Sequence, residues 1–484
     1  MNFSKDEKQP VADVEQRESI NRDAPQDDLK KPEGDYSGAV AKSDPAELKL
    51  VRKLDIWIMP ILWLMYWLNY LDRNAITLAV LNNFKEDLGL KGTQYNTGVS
   101  ILFVGYVLGQ IPSNMLITRV RPSLYMGICM MGWAVVSALT ALAKNYTGLI
   151  LTRFFLGIVE APYYPGALYI LSIFYTRKEI ATRISVLYSG NILASAFAGL
   201  IAAGVFKLDG KHGISGWQWL FIIQGIITFL VAIAACFILP DEPLTTRWLT
   251  PEERQLAYDR VNRDTVGQTN NGSAWQGLKE AAKDPKVWVF VYMQHLHIAT
   301  NGFKNFFPTI VKTLGFNTTI TLVLTCPPYL IAGIISIAWA ASSGHFNERT
   351  WHITIAKAVA IFGFVLGCAT MNVGARYFAM CVFTIGTYGV NSIILGWVSS
   401  TCGQTKEKKA SALAIANVSV TLSLIWTPYL WPSWTEPRFV LPMATSAGMA
   451  LACVFGAWAM RFILVRENRK IRQSDSEATL YYAY

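Results

Sequence analysis

Apolar stretches of about twenty residues recur along this chain, too long and too frequent for the core of a soluble domain. A hydrocarbon layer about 30 Å thick takes roughly 20 apolar residues per helix. Inside it the backbone must satisfy its own hydrogen bonds, so each stretch is predicted to be helical. Twelve segments meet that window: about 54–80, 96–118, 122–143, 147–174, 183–206, 216–239, 287–310, 320–342, 352–371, 376–400, 410–431 and 439–464. Composition agrees, with 52% hydrophobic and 16% charged residues, against about 25% charged in soluble domains. One long polar gap, Pro240 to Lys286, divides the segments six and six and contains LTPEERQLAYDRVNRD, which reads as an amphipathic surface helix. The expected organisation is an all-α membrane protein with 12 transmembrane helices. Its parts are a solvated, disordered tail (1–50), a six-helix half (51–239), a central loop (240–286), a second six-helix half (287–465) and a final tail (466–484).

Lys and Arg in the short loops set the orientation. An inside N-terminus places Arg52/Lys53, Arg119/Arg121, Arg177/Lys178/Arg183, the central loop, Arg349 and Lys406/Lys408/Lys409 on the cytoplasmic side, with both termini. The net charge of +10 is then a matter of topology rather than nucleic-acid affinity. Asn145 (NYT) and Asn317 (NTT) fall outside, in glycosylation sequons. The first apolar stretch begins after some fifty polar residues, which argues against a cleaved secretory signal. The seven cysteines lack a CxxC pair and mostly sit in apolar segments, as small packing residues do. No Walker A loop, HExxH or GxSxG occurs, so neither ATP hydrolysis nor a soluble hydrolase is indicated, and no metal or organic cofactor is expected.

Charges interrupt this hydrocarbon. YWLNYLDRNAI puts Asp72 and Arg73 deep in the first segment, and TRFFLGIVEAPYYPGALYILSIFY puts Arg153 and Glu160 in the fourth. Four such residues facing lipid would cost on the order of 10 kcal/mol, so they are predicted to face a polar interior. Arg153, Gly157 and Glu160 share one helical stripe, two turns from end to end. Adjacent Asp72 and Arg73 point about 100° apart, so one meets a neighbouring helix while the other faces a central cavity. Tyr66, Tyr70 and Thr77 extend the Arg73 side. Pro162 and Pro165 free backbone carbonyls after Glu160, tolerable where they line a cavity. Two interpretations stay open: structural ion pairs fixing the two helices, or a substrate and proton site.

The motifs YLDRNAI, GYVLGQIPSNMLITRVRPS, LTRFFLGIVEAPYYPGALYILSIFYTRKE, ARYFAMCVFTIGTYGVN and GWVSS, with the six-loop-six plan, resemble the major facilitator superfamily. Within it they resemble the anion:cation symporter branch, above all the fungal allantoate-permease-like carriers. The resemblance covers nearly all of residues 50–465. It implies the major facilitator fold and a proton-coupled secondary transporter of a small organic anion, a monomer of the plasma membrane driven by the proton gradient. It further implies that Arg73 binds the substrate carboxylate, Asp72 and Glu160 handle the proton, and Arg153 belongs to the coupling network. Tyr70, Tyr106 and Asn191 fall where the family often has polar cavity residues. Lys304 in the seventh segment and Asn391 and Asn417 in the second half are further substrate-binding candidates. Lys304 sits toward the outer end, where it either snorkels or meets substrate. His295 and His297 are either satisfied core residues or a feature particular to this chain. The loop SSGHFNERTWHI reads as lacking the acidic residue of the superfamily's repeated loop motif. Export is the alternative direction, although GNILASAFAGLIAAG lacks the GPxxGG-like antiporter motif of many drug exporters.

Overall fold

The computed structural model describes residues 44–116, 120–264, 274–402, 406–474 and 482–484. Most of the expected N-terminal tail, part of the central loop and much of the final tail lie outside the described residues. Lys49–Tyr484 forms one packed unit; of the preceding unit only Asp44–Leu48 is described.

Among the described residues every regular element is helical. The principal helices are α1 (Pro45–Ala79), α2 (Gln94–Leu116), α3 (Pro122–Leu139), α4 (Tyr146–Phe174, broken at Ala161–Pro162) and α5 (Arg177–Val205). They continue with α6 (Gly216–Ile238), α7 (Pro285–Thr300), α8 (Thr318–His345, interrupted at Thr325), α9 (Thr350–Ala369), α10 (Val373–Thr401, interrupted at Gly389), α11 (Lys406–Trp426) and α12 (Val440–Ser474). Ten helices among the described residues are long and apolar enough to cross a membrane. The two expected segments outside that set are α2 and the seventh segment. The single helix expected over 287–310 is in fact broken. α7 ends at Thr300, a 3-10 stretch runs Asn301–Phe306, and a short helix follows from Phe307 to Lys312. Gly302 and Pro308 sit in or beside the break, and both are poor helix-interior residues.

Local chemistry starts many of these helices. Asn145, Asn317 and Asn372 each cap one, their side-chain oxygens accepting from Gly148, Ile320 and Ala375 N–H. Thr176/Glu179 and Ser215/Gln218 form capping boxes before α5 and α6. Both sequon asparagines, Asn145 and Asn317, are thus exposed helix caps. The amphipathic stretch of the central loop forms a helix, Pro251–Asp264, whose Arg260 is buried and donates to Glu179 at 2.9 Å and Phe174 O at 2.5 Å.

Helix pairing repeats. α2 packs on α4 and α3 on α6; six helices later α8 packs on α10 and α9 on α12. α5–α8 and α2–α11 contacts join the two sets. Small residues allow the closest approaches. A Cβ on Gly157 of α4 would collide with the Leu102 carbonyl of α2, and one on Gly386 of α10 would lie 2.5 Å from Ala356 O of α9. The outer surface is apolar, with Phe237, Ile334 and Leu230 more than half exposed, while Asn69, Asp72, Arg153, Glu160, Gln294 and Lys357 are buried. That distribution suits a lipid surround with polar groups turned inward.

Candidate functional site

A cavity of about 330 Å³ lies between the two sets of helices, with walls from α1, α2, α4 and α5 on one side and from α7, α10 and α11 on the other. Its polar face on α1 is built by helical spacing: Tyr66, Asn69, Tyr70, Arg73, Asn74 and Thr77 all line it. Toward its N-terminus α1 carries Leu54, Ile58, Leu62 and Met65 into the packed interior.

Arg73 is the centre of that wall. Its Nε donates to Glu160 Oε1 at 2.8 Å, and Asn69 Nδ2 donates to the same oxygen at 2.5 Å. The guanidinium lies 5.2 Å from the Tyr70 ring, 5.1 Å from Tyr106 and 5.9 Å from Phe103. The rings limit its movement and its contact with water, and a cation in such surroundings gains from their faces. Glu160 is placed by the end of the first piece of α4, immediately before the Ala161–Pro162 break. Beyond the break Tyr163 donates to Leu62 O at 2.5 Å, fixing α4 against α1.

Asp72 faces the other way. It is buried and does not line the cavity; Trp133 of α3 and Thr228 of α6 donate to its Oδ2 at 3.1 and 3.2 Å. The neighbours Asp72 and Arg73 therefore do not pair, and Arg73 reaches across to α4 instead. Arg153 lines the cavity two turns before Glu160 on the same stripe, 1% exposed, with its guanidinium 5.3 Å from the Phe221 ring. Among the described residues none of its guanidinium nitrogens has a hydrogen-bond partner, yet it lies within electrostatic reach of both Asp72 and Glu160. Neither pairing considered from sequence, Asp72 with Arg73 or Arg153 with Glu160, is a direct salt bridge here.

The second half supplies the facing wall. Lys304 in the 3-10 break does not snorkel outward: it lines the cavity, its Nζ 4.0 Å from the centre of the Tyr388 ring. Asn391 lines it too, accepting from Gln294 Nε2 at 2.7 Å, and Asn417 joins from α11. Tyr106 and Asn191 complete the sequence-derived set at the cavity. Gln294, Asn301 and Asn305, which also line it, were not among the candidates; the irregular α7 backbone that presents the last two is signalled only by ATNGFKNFFP.

The histidines stay off the cavity. His295 stacks on Trp426, and His297 accepts from Lys357 Nζ at 2.9 Å. Lys357, fully buried in α9, is a cation that charge counting along segment 352–371 would have revealed. The loop between α8 and α9 also needs correction, because it does hold an acid. Glu348 pairs with Arg461 of α12 at 3.1 Å, and its carboxylate accepts from Trp351 N–H, so this loop is tied to the last helix.

The chain is similar to known proteins along most of its length. The sequence profile described as Major Facilitator Superfamily matches residues 62–428. An uncharacterized transporter of Schizosaccharomyces pombe is 32% identical over 433 residues, 88% of this chain and 88% of that protein. The MFS-type transporter cnsO of Penicillium expansum is 32% identical over 452 residues, 90% of this chain and 86% of that one. The major facilitator-type transporter hxnP of Emericella nidulans is 30% identical over 438 residues, covering 88% and 87%. Among solved structures, an inward-facing bacterial homolog of the human lysosomal transporter Spinster superposes with TM-score 0.66 at 17% identity, covering 88% of this chain and 96% of that one. The xylose transporter XylE from E. coli does so with TM-score 0.64 at 14% identity, covering 84% and 98%.

Proposed function

The chain belongs to the major facilitator superfamily and is a multi-pass membrane transporter, and from that premise we propose that it carries a small organic anion inward, coupled to protons. One observation carries this reading: the cavity wall presents three cations, Arg73, Arg153 and Lys304, against one carboxylate, Glu160. An anion entering there offsets an excess of positive charge, and the planar Arg73 fork suits a carboxylate.

Coupling follows from sharing Arg73. Glu160 already holds its Nε, so a substrate carboxylate competes for the same guanidinium. A proton on Glu160 removes that competition, and a Glu160 that loses its partner is a buried carboxylate that takes a proton more readily. Asp72, off the cavity and held by Trp133 and Thr228, would tune this exchange through Arg153. Tyr70, Tyr106 and Asn191 would shape the pocket on one side, Asn391 and Asn417 on the other.

The broader arrangement is that of twelve spans in two halves rocking about the midplane site, with cytoplasmic termini, a monomer in the plasma membrane, and glycans on Asn145 and Asn317 as exposed outer-side residues. The test is uptake of labelled carboxylates (nicotinate, allantoate and pantothenate among them) by cells lacking their own carriers. We expect saturable uptake that rises as external pH falls. Removing one partner of a desolvated charge contact costs about 2–5 kcal/mol, so Arg73→Gln should weaken apparent affinity on the order of 30-fold or more. Uptake by Arg73→Gln equal to wild type would remove the anion assignment. In oppositely prepared vesicles, accumulation driven by an inward proton gradient marks uptake, and its reversal marks export.

A further inference from the structure

In the second half, Lys357 and His297 are both fully buried, one on α9 and one on α7, with Nζ and Nδ1 2.9 Å apart. Among the described residues no Asp or Glu reaches either. The other charged or titratable groups that act on the pair are Lys304, from the break following α7, and Cys453 of α12, whose thiol donates to Met293 O at 3.5 Å. Tyr388 of α10 covers Lys304 rather than the pair. An amine at this depth is costly, and among the described residues no ion pair offsets it.

The hydrogen bonds have a direction. Lys357 donates to Nδ1, which leaves the imidazole proton on Nε2. Nε2 lies 3.5 Å from the Asn301 side-chain amide, whose Oδ1 has no partner among the described residues. Turning that amide end for end lets Oδ1 accept from Nε2–H, a choice set by the network rather than by the heavy atoms. Asn301 itself lines the cavity beside Lys304. A continuous polar line thus runs from a sealed amine, through an imidazole, to the cavity wall.

We propose that His297 and Lys357 together form a proton-binding site of the second half, separate from Glu160 and connected to the cavity through Asn301. Two basic groups within hydrogen-bond distance hold one proton between them and resist a second, so they titrate as a unit. The second proton is favoured when an anion beside Asn301 and Lys304 supplies counter-charge; by linkage, the proton then favours the anion to the same degree. The proton site itself does not depend on what that anion is.

Nitrogen NMR of the full-length protein with labelled histidine tests this without any substrate. The chain has 5 histidines, and His297→Gln assigns the relevant signal by its loss. In wild type we expect a neutral ring protonated on Nε2 at high pH whose Nδ1 signal moves as the pair takes up its one shared proton on titration from about pH 9 to pH 5. Glu160→Gln should retain that change, and Lys357→Met should shift its midpoint by about one pH unit or more. Should Lys357→Met fail to fold, Lys357→Gln, which keeps a donor and removes the charge, gives the same comparison. A ring whose Nδ1 signal does not move across that range overturns the proposal. So does a change that vanishes in Glu160→Gln, or one whose midpoint ignores Lys357. Absence of carboxylate uptake in cells would instead count against the anion reading alone.

Discussion

The two walls of the cavity are built from opposite kinds of polarity. On the α1–α4 side a carboxylate and a guanidinium share one hydrogen bond, with Arg153 in the same wall and Asp72 behind it. On the α7–α10 side the wall holds, among the described residues, amides and one amine, Gln294, Asn301, Asn391 and Lys304, and no acid. Helix pairing repeats between the halves while side-chain chemistry does not, so the fold sets where a cavity forms and the inward residues divide the work. The first half has a buried ion pair, Arg73 with Glu160. The second has hydrogen-bonding amides and the Lys304 amine.

The largest expected effect breaks what the halves share. Gly157 meets the α2 backbone and Gly386 the α9 backbone, so Leu at either forces helices apart. Overpacking against backbone costs about 3 kcal/mol or more. Gly157→Leu and Gly386→Leu should each abolish a monodisperse peak in size-exclusion chromatography, whereas Gly448→Ala, with open space at its Cβ, should not. Survival of one Leu variant would show that the two seams are not equivalent.

The next test separates the carboxylates of the first half. Glu160→Gln keeps an acceptor for Asn69 and removes the charge facing Arg73. In proteoliposomes, gradient-driven accumulation should fall at least tenfold while substrate exchange persists. Asp72→Asn keeps acceptors for Trp133 and Thr228 and sits off the cavity, so maximal rate should fall several-fold with KM nearly unchanged. If Asp72→Asn uncouples and Glu160→Gln does not, their roles exchange.

Much of this first-half site was legible because the signal is local. An LDRN run in hydrocarbon forces inward-facing charge, and the 100° step between neighbours forces Asp72 and Arg73 onto different faces. The pairing of Arg73 with Glu160 was not legible, since it depends on how closely α1 approaches α4 across 87 residues of chain. The second half was harder. Its candidates Lys304, Asn391 and Asn417 all reach the cavity, yet Lys357 passed unnoticed in an apolar segment. The α7 break was hidden because a hydropathy window averages over Gly302 and Pro308. Glu348 was overlooked because its role is defined by Arg461, more than a hundred residues away.

Lys304→Met sharpens the contrast on the second-half side. The amine touches the Tyr388 face and the cavity but makes no ion pair among the described residues, so its removal should leave the fold intact. An anion losing one of three nearby cations should bind about tenfold more weakly, about 1.4 kcal/mol, with proton coupling retained. Loss of coupling instead would place the switch in both walls.

Glu348 gives the smallest effect and the most specific one. Its carboxylate meets Arg461 and His352, with side chains 13–26% exposed. Partly exposed ion pairs contribute up to about 1 kcal/mol, so Glu348→Gln should lower Tm by only a few degrees in a thermal shift assay. The same loop connects α8 to α9, and α9 packs on α12, so the pair holds three helices of the second half at one end. A rigid second half moving as one body needs that tie, whereas a half whose helices slide independently does not. Glu348→Gln that leaves Tm nearly intact but lowers transport rate would assign the tie to motion; an equal loss in stability and rate would assign it to packing alone.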